Sequence, residues 1–134
     1  MDLYRDVILD HYKHPRNFGH LDKPDIVMEE GNVTCGDRIV IELCVRRSPR
    51  SISGEAGQAS GVTIDDIRFS GDGCAISQAS ASMLTEKVKG MGFASLKKMT
   101  MQDIERMLGT TLTPSRVKCA TLSLEVLHKA IQSI

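Results

Sequence analysis

The stretch Gly71-Asp72-Gly73-Cys74-Ala75-Ile76-Ser77 constrains this chain more than any other. Before it, Val62, Thr63, Ile64, Ile67 and Phe69 give residues 62–69 the β-branched and aromatic character of a strand. After it, Ile76, Ala79, Met83, Leu84 and Val88 recur at helical spacing. Cys74 therefore stands where a strand ends and a helix begins. Free backbone N–H groups and the positive end of the helix dipole stabilise a thiolate at such a position, so Cys74 is poised as a ligand or a nucleophile.

The other elements are read outward from this junction. Leu3, Val7, Ile8 and His11 or Tyr12 share one face of a short N-terminal helix that Pro15 and Asn17-Phe18-Gly19 bring to an end. His11, His14 and His20 have no acidic or Cys partner at matching spacing, and the reading is of surface or partner-contacting side chains. His128, in a terminal helix, is read the same way. Ile26-Val27-Met28-Glu29 is a candidate strand, with Gly31-Asn32 as a turn after it. In residues 38–46, Ile39, Ile41, Leu43 and Val45 alternate with Arg38, Val40, Glu42, Cys44 and Arg46 and mark the core face, with Cys44 pointing away beside Glu42 and Arg46. Residues 47–61 are rich in Ser, Gly and Arg and read as an exposed hairpin loop. Gly90-Met91-Gly92 stops the central helix, and Thr100 with Asp103 forms a capping box for a short helix ending at Gly109. Thr113-Pro114 opens a long last helix with Val117, Ala120, Leu124, Leu127 and Ile131 on one face.

At 134 residues the expectation is one domain, 1–134, able to bury a core without metal or disulfides. Seventeen basic residues balance 17 acidic ones, and the five Phe and Tyr residues do not combine with a basic cluster, so nucleic acid is not an expected partner. The N-terminus is charged and no long apolar run occurs, which predicts a cytoplasmic protein without membrane contact. In a reducing compartment Cys35, Cys44, Cys74 and Cys119 are expected as metal, redox or core thiols. There is no Ser/His/Asp arrangement, paired-carboxylate site or nucleotide loop of an ordinary small-molecule enzyme.

Three of the cysteines fall at element ends: Cys35 in the turn before a strand, Cys74 at one helix start and Cys119 near another. Asp37 lies two residues beyond Cys35 and projects to the same side of an extended segment. Converging at one end of the domain, Cys35, Asp37, Cys74 and Cys119 make four ligands for a metal. Their spacing contains no C-x-x-C knuckle, and the alternative is that Cys74 and Cys119 pack as small hydrophobes while Asp37 serves a turn. Cys44 reads as an incidental thiol in either case.

Four segments resemble, in order, the motifs of the U-type iron-sulfur cluster assembly proteins, the family of IscU, SufU and the N-terminal part of NifU. They are His14-Pro15-Arg16-Asn17-Phe18-Gly19, Gly31-Asn32-Val33-Thr34-Cys35-Gly36-Asp37, Gly71-Asp72-Gly73-Cys74-Ala75-Ile76-Ser77-Gln78-Ala79-Ser80-Ala81-Ser82-Met83 and Arg116-Val117-Lys118-Cys119-Ala120-Thr121-Leu122. The resemblance implies an α+β sandwich, with a small antiparallel three-stranded sheet packed by helices and a long C-terminal helix. It implies a site of Cys35, Asp37, Cys74 and Cys119. The SufU branch is the closer match, because Lys118 stands where the IscU branch has His before its third cysteine. SufU proteins also carry an insertion between the second and third cysteines that this chain lacks.

The family implies sulfur acceptance from a cysteine desulfurase and assembly of a transient [2Fe-2S] cluster on these four residues, for transfer to recipient apo-proteins or a downstream cluster-assembly complex. The SufU branch implies a second mechanism, in which Zn2+ occupies the same ligands and the protein relays sulfur as a zinc-dependent sulfurtransferase. By that resemblance Cys35 is the sulfur acceptor, with Cys119 as the alternative. A third reading, of another class, is a structural zinc-binding interaction module.

Overall fold

The computed structural model describes residues 3–32, 36–47, 62–109 and 114–132. Among these residues three strands, β1 (Ile26–Asn32), β2 (Asp37–Arg47) and β3 (Val62–Asp72), form one antiparallel sheet in the order β1-β2-β3. Among the described residues five helices accompany it: α1 (Leu3–Lys13), α2 (Ala75–Val88), α3 (Phe93–Lys97), α4 (Met101–Leu108) and α5 (Pro114–Gln132). This is the α+β sandwich expected from the motifs.

Period-two alternation builds the interior. Ile39, Ile41 and Leu43 of β2 are wholly buried, and the register sets Ile41 beside Phe69 and Leu43 beside Ile67, both also wholly buried. A bulge between Cys44 and Val45 shifts the later pairs, so that Val45 meets Ile64. Helices α5 and α2 cover this face, α5 over β1 and β2 and α2 over β3, with α1 and α4 packed against α2. Central placement explains why α2 buries Ser77, Ser80, Ser82 and Thr85 as well as Ile76, Ala79, Leu84 and Val88. Small side chains let neighbouring helices approach from several directions. Along α5, Cys119, Ala120, Leu124, Leu127 and Ile131 form the buried stripe.

Several local readings change. Gly31 and Asn32 belong to β1, paired with Arg38 and Asp37, so the strand runs further than a Gly-Asn turn predicts. The five-residue α3 is additional, and His128 fastens it through a 2.9 Å contact from Nε2 to the Leu96 carbonyl. On α1 the interior face carries Ile8 and His11, whereas Val7 and Tyr12 are exposed. His11 is thus not a surface residue: its Nδ1 lies 2.8 Å from Ser82 Oγ, and the same hydroxyl accepts the Arg16 N–H at 2.8 Å. The Thr100 capping box is present, with Asp103 accepting the Thr100 N–H at 2.8 Å. The expected hairpin loop at 47–61 lies, beyond Arg47, outside the described residues, as does Thr113.

Residues between α1 and β1 bind the outer face of the sheet to the helices. Asn17 and Gly19 pair with the free edge of β3 through Phe69, and Phe18 sets its ring edge-on to Phe69 at 5.3 Å. The chain then crosses beneath β2, where Glu42 accepts from the Leu21 N–H at 2.8 Å and pairs with His20 at 2.6 Å. Burial works against the Glu42 carboxylate, but these partners outweigh it and hold its pKa below the ordinary value. Among the described residues no helix is long and apolar enough to cross a membrane.

Candidate metal centre

One end of the sheet collects the chemistry. β2 begins at Asp37, β3 ends at Asp72, and the register sets Arg38 opposite Asp72, so the starts of β2 and α2 are neighbours. Cys74 is the N-cap of α2, with extended backbone and no side-chain cap. Its N–H instead donates to Asp37 Oδ1 at 3.0 Å. A carboxylate from the adjacent strand therefore occupies the helix N-terminus, where an anion is stabilised. The second oxygen, Oδ2, faces Cys74 Sγ at 3.9 Å. Cys119, in the second turn of α5, brings its sulfur to the same place. The donor atoms of Asp37, Cys74 and Cys119 all lie within 4.8 Å of one another.

Burial differs among the three. Asp37 is 3 % and Cys119 7 % exposed, whereas Cys74 is open to solvent. A buried carboxylate beside two sulfurs concentrates acceptors and potential anions, and no Lys or Arg among the described residues pairs with Asp37. Arg38, one residue away, is engaged by Glu29 at 2.8 Å. A divalent cation would balance such a donor set. One oxygen and two sulfur donors suit zinc or iron, and tetrahedral Zn–S bonds of about 2.3 Å require donors somewhat closer than 4.8 Å, a contraction that side-chain rotation can supply.

Glycine makes the close approach possible. A Cβ on Gly73 would collide with Ser77 Oγ and lie 2.9 Å from Asp37 Oδ1, and one on Gly71, at φ +130°, would collide with the Arg38 carbonyl. The Gly-x-Gly spelling of the turn is thus a record of two strands and a helix meeting at one point.

Of the four expected site residues the structure brings together Asp37, Cys74 and Cys119, and Cys35 lies outside the described residues. Cys44 is elsewhere, on the outer face, with its thiol 3.4 Å from the Lys23 carbonyl. Burial and the nearby Asp25 push that thiol's pKa up, so it stays protonated at neutral pH. Two residues near the centre had no role assigned from sequence: Ser77, which donates to the Cys74 carbonyl at 3.1 Å, and Gln78, whose Nε2 donates to the Gly71 carbonyl at 3.2 Å. Their signal was their place in the Cys74 motif.

A three-stranded sandwich that brings an aspartate from a strand start beside two cysteines from helix N-terminal turns has the donor set of a small metal-binding protein. Within that class the chain belongs to the NifU-like N-terminal domain family, which matches residues 3–134. It is 37 % identical over 146 residues to the zinc-dependent sulfurtransferase SufU of Bacillus subtilis (strain 168), covering 96 % of this chain and 89 % of the relative. That alignment is longer than the chain itself, so the relative contains residues with no counterpart here. The iron-sulfur cluster assembly scaffold protein IscU of Aquifex aeolicus (strain VF5) is 36 % identical over 129 residues, covering 96 % of this chain and 74 % of the relative. A crystal structure described as an iron-sulfur cluster assembly scaffold protein for the SUF system, from Fervidobacterium Islandicum AW-1, superposes with a TM-score of 0.67 at 26 % identity, covering 94 % of each chain.

Proposed function

We propose that this chain, acting as one domain over residues 1–134, accepts sulfur from a cysteine desulfurase and carries a transient [2Fe-2S] cluster that it gives to recipient apo-proteins or a downstream cluster-assembly complex. The observation that carries this reading is the convergence of Asp37, Cys74 and Cys119 within 4.8 Å. Cys35 is the proposed fourth ligand and the sulfur acceptor, with Cys119 as the alternative acceptor. In the acceptance step the acceptor thiolate attacks the outer sulfur of the desulfurase persulfide and the desulfurase cysteine leaves as thiolate. Each sulfur so carried must gain two electrons, from an external electron carrier, to become the sulfide of a cluster. Asp37 suits cargo that has to leave, since a hard carboxylate oxygen holds a sulfide-bridged iron less firmly than a fourth thiolate. The thiols and the absence of a spanning helix among the described residues are compatible with work in the reducing cytoplasm.

A zinc-dependent sulfur relay is the second reading, favoured by the likeness to the Bacillus subtilis sulfurtransferase. Asp37, Cys74 and Cys119, with Cys35, would hold the Zn2+, which would keep the thiols deprotonated until sulfur arrives. Comparing wild type with Asp37→Ala separates the two readings. Slower passage of a reconstituted cluster to an apo-ferredoxin supports the scaffold, whereas weaker Zn2+ binding with no cluster formed by wild type supports the relay. If neither sulfide nor persulfide appears on any cysteine after mixing with a desulfurase and cysteine, both fail and an interaction module remains.

A further inference from the structure

Asp37 and Cys74 are joined directly by the bond from the Cys74 N–H to Oδ1, and that link is fragile in a site that exchanges its cargo. Any turn of the carboxylate that brings Oδ1 to a metal gives it up. A second route joins the same two residues. Gly71 lies so close to β2 that a Cβ there would collide with the Arg38 carbonyl, which fixes the end of β3 on the residue next to Asp37. From the Gly71 carbonyl the Gln78 amide reaches back to the first turn of α2 at 3.2 Å. The Gln78 backbone N–H in turn donates to the Cys74 carbonyl at 3.1 Å, the oxygen that also accepts from Ser77 Oγ at 3.1 Å.

We propose that Gln78 is a positioning residue of the metal centre, whose side-chain amide keeps Cys74 in register with Asp37 while the carboxylate changes partners. This rests on the reading of Asp37, Cys74 and Cys119 as a metal site. Gln78 touches no donor atom in that set; it acts through Gly71 and the first turn of α2. Losing this hydrogen bond should weaken metal binding by about fivefold rather than abolish it.

The test uses the whole chain, Zn2+ affinity by competition with a chromophoric chelator, and the visible spectrum of the Co2+-loaded protein as a report on ligand geometry. Gln78→Met removes the donor at similar volume, and Gln78→Asn keeps the amide but shortens its reach. Both are expected to bind Zn2+ about fivefold more weakly and to shift or weaken the Co2+ ligand-field bands. If both bind Zn2+ and give Co2+ spectra as wild type while Asp37→Ala and Cys119→Ser do not, the proposal is wrong and the site reading stands. Should all four variants match wild type, the site reading itself is wrong. A lowered melting temperature of metal-free protein with unchanged Zn2+ affinity and Co2+ spectrum would make Gln78 merely structural, and would also overturn the proposal.

Discussion

Helix α2 carries a polar cluster on each side, and the two are resolved differently. Toward α1, the Ser82 hydroxyl meets His11 Nδ1 and the Arg16 N–H, Thr85 donates to the Ser82 carbonyl at 2.8 Å, and Asn17 donates to Thr85 Oγ1 at 3.2 Å. Donors and acceptors there are matched within the protein. At the N-terminus of α2, a buried carboxylate and two sulfurs converge, and the Cys74 N–H donates to the carboxylate. Burial alone does not mark function, because His11 and Asp37 are both buried. What separates them is closure: the first cluster pairs its donors with acceptors, whereas in the second no Lys or Arg among the described residues is ion-paired with Asp37.

The largest expected effect breaks the open cluster. Cys119→Ser should lower Zn2+ affinity by at least about 100-fold, since it removes a ligand rather than a group behind one. Metal-free protein should still melt cooperatively, because Phe69, Ile41, Leu84 and Leu127 hold the core without metal. Loss of cooperative melting on chelation alone would show that the open cluster is a folding staple.

Next is Gly73→Ala. Its Cβ meets Ser77 Oγ and Asp37 Oδ1, so overpacking of about 1–3 kcal/mol should be accompanied by weakened metal binding. A destabilised variant that binds Zn2+ as wild type would detach Gly73 from the centre.

The closed cluster gives a pH effect. Burial holds the His11 pKa below its usual value, with Arg16 adding to the depression and Glu86 and Asp10 opposing it. The unfolded chain therefore takes up a proton near pH 6.5 that the folded protein refuses. Stability contributed by neutral His11 is present above about pH 6.5 and declines as pH falls from there through the lower folded pKa. Urea unfolding of metal-free protein at several pH values should show this decline, and His11→Gln should flatten it. An identical pH dependence in the variant would place the titration elsewhere.

Smallest of all is Cys44→Ser, which should leave Zn2+ affinity and sulfur acceptance within error of wild type. Damage comparable to Cys119→Ser would mean that the outer-face thiol belongs to the chemistry.

Much of the fold was legible because alternation and helical period report burial directly: Ile39, Ile41 and Leu43 read as core and are core. Gly31-Asn32 misled because a local preference for turning was overridden by pairing with Arg38 and Asp37. His11 was read as surface since nothing in the sequence shows that Ser82, 71 residues away, waits to bond it. For the centre, spacing left metal and core thiols both open, and the family motifs singled out Cys35, Asp37, Cys74 and Cys119, of which Cys35 lies outside the described residues. The bond that binds Asp37 to the Cys74 N–H was beyond reach, because it depends on Gly71 and Gly73 admitting β2 and α2 to one another.

We propose that Asp37, Cys74 and Cys119, with Cys35, form one site that carries an iron-sulfur cluster. The most direct test is anaerobic reconstitution with a desulfurase, cysteine, a reductant and ferrous iron, followed by iron and acid-labile sulfide analysis of wild type and Cys119→Ser. About two iron and two sulfide are expected per wild-type chain, with background levels in the variant. Equal iron and sulfide in the two proteins would contradict the proposal.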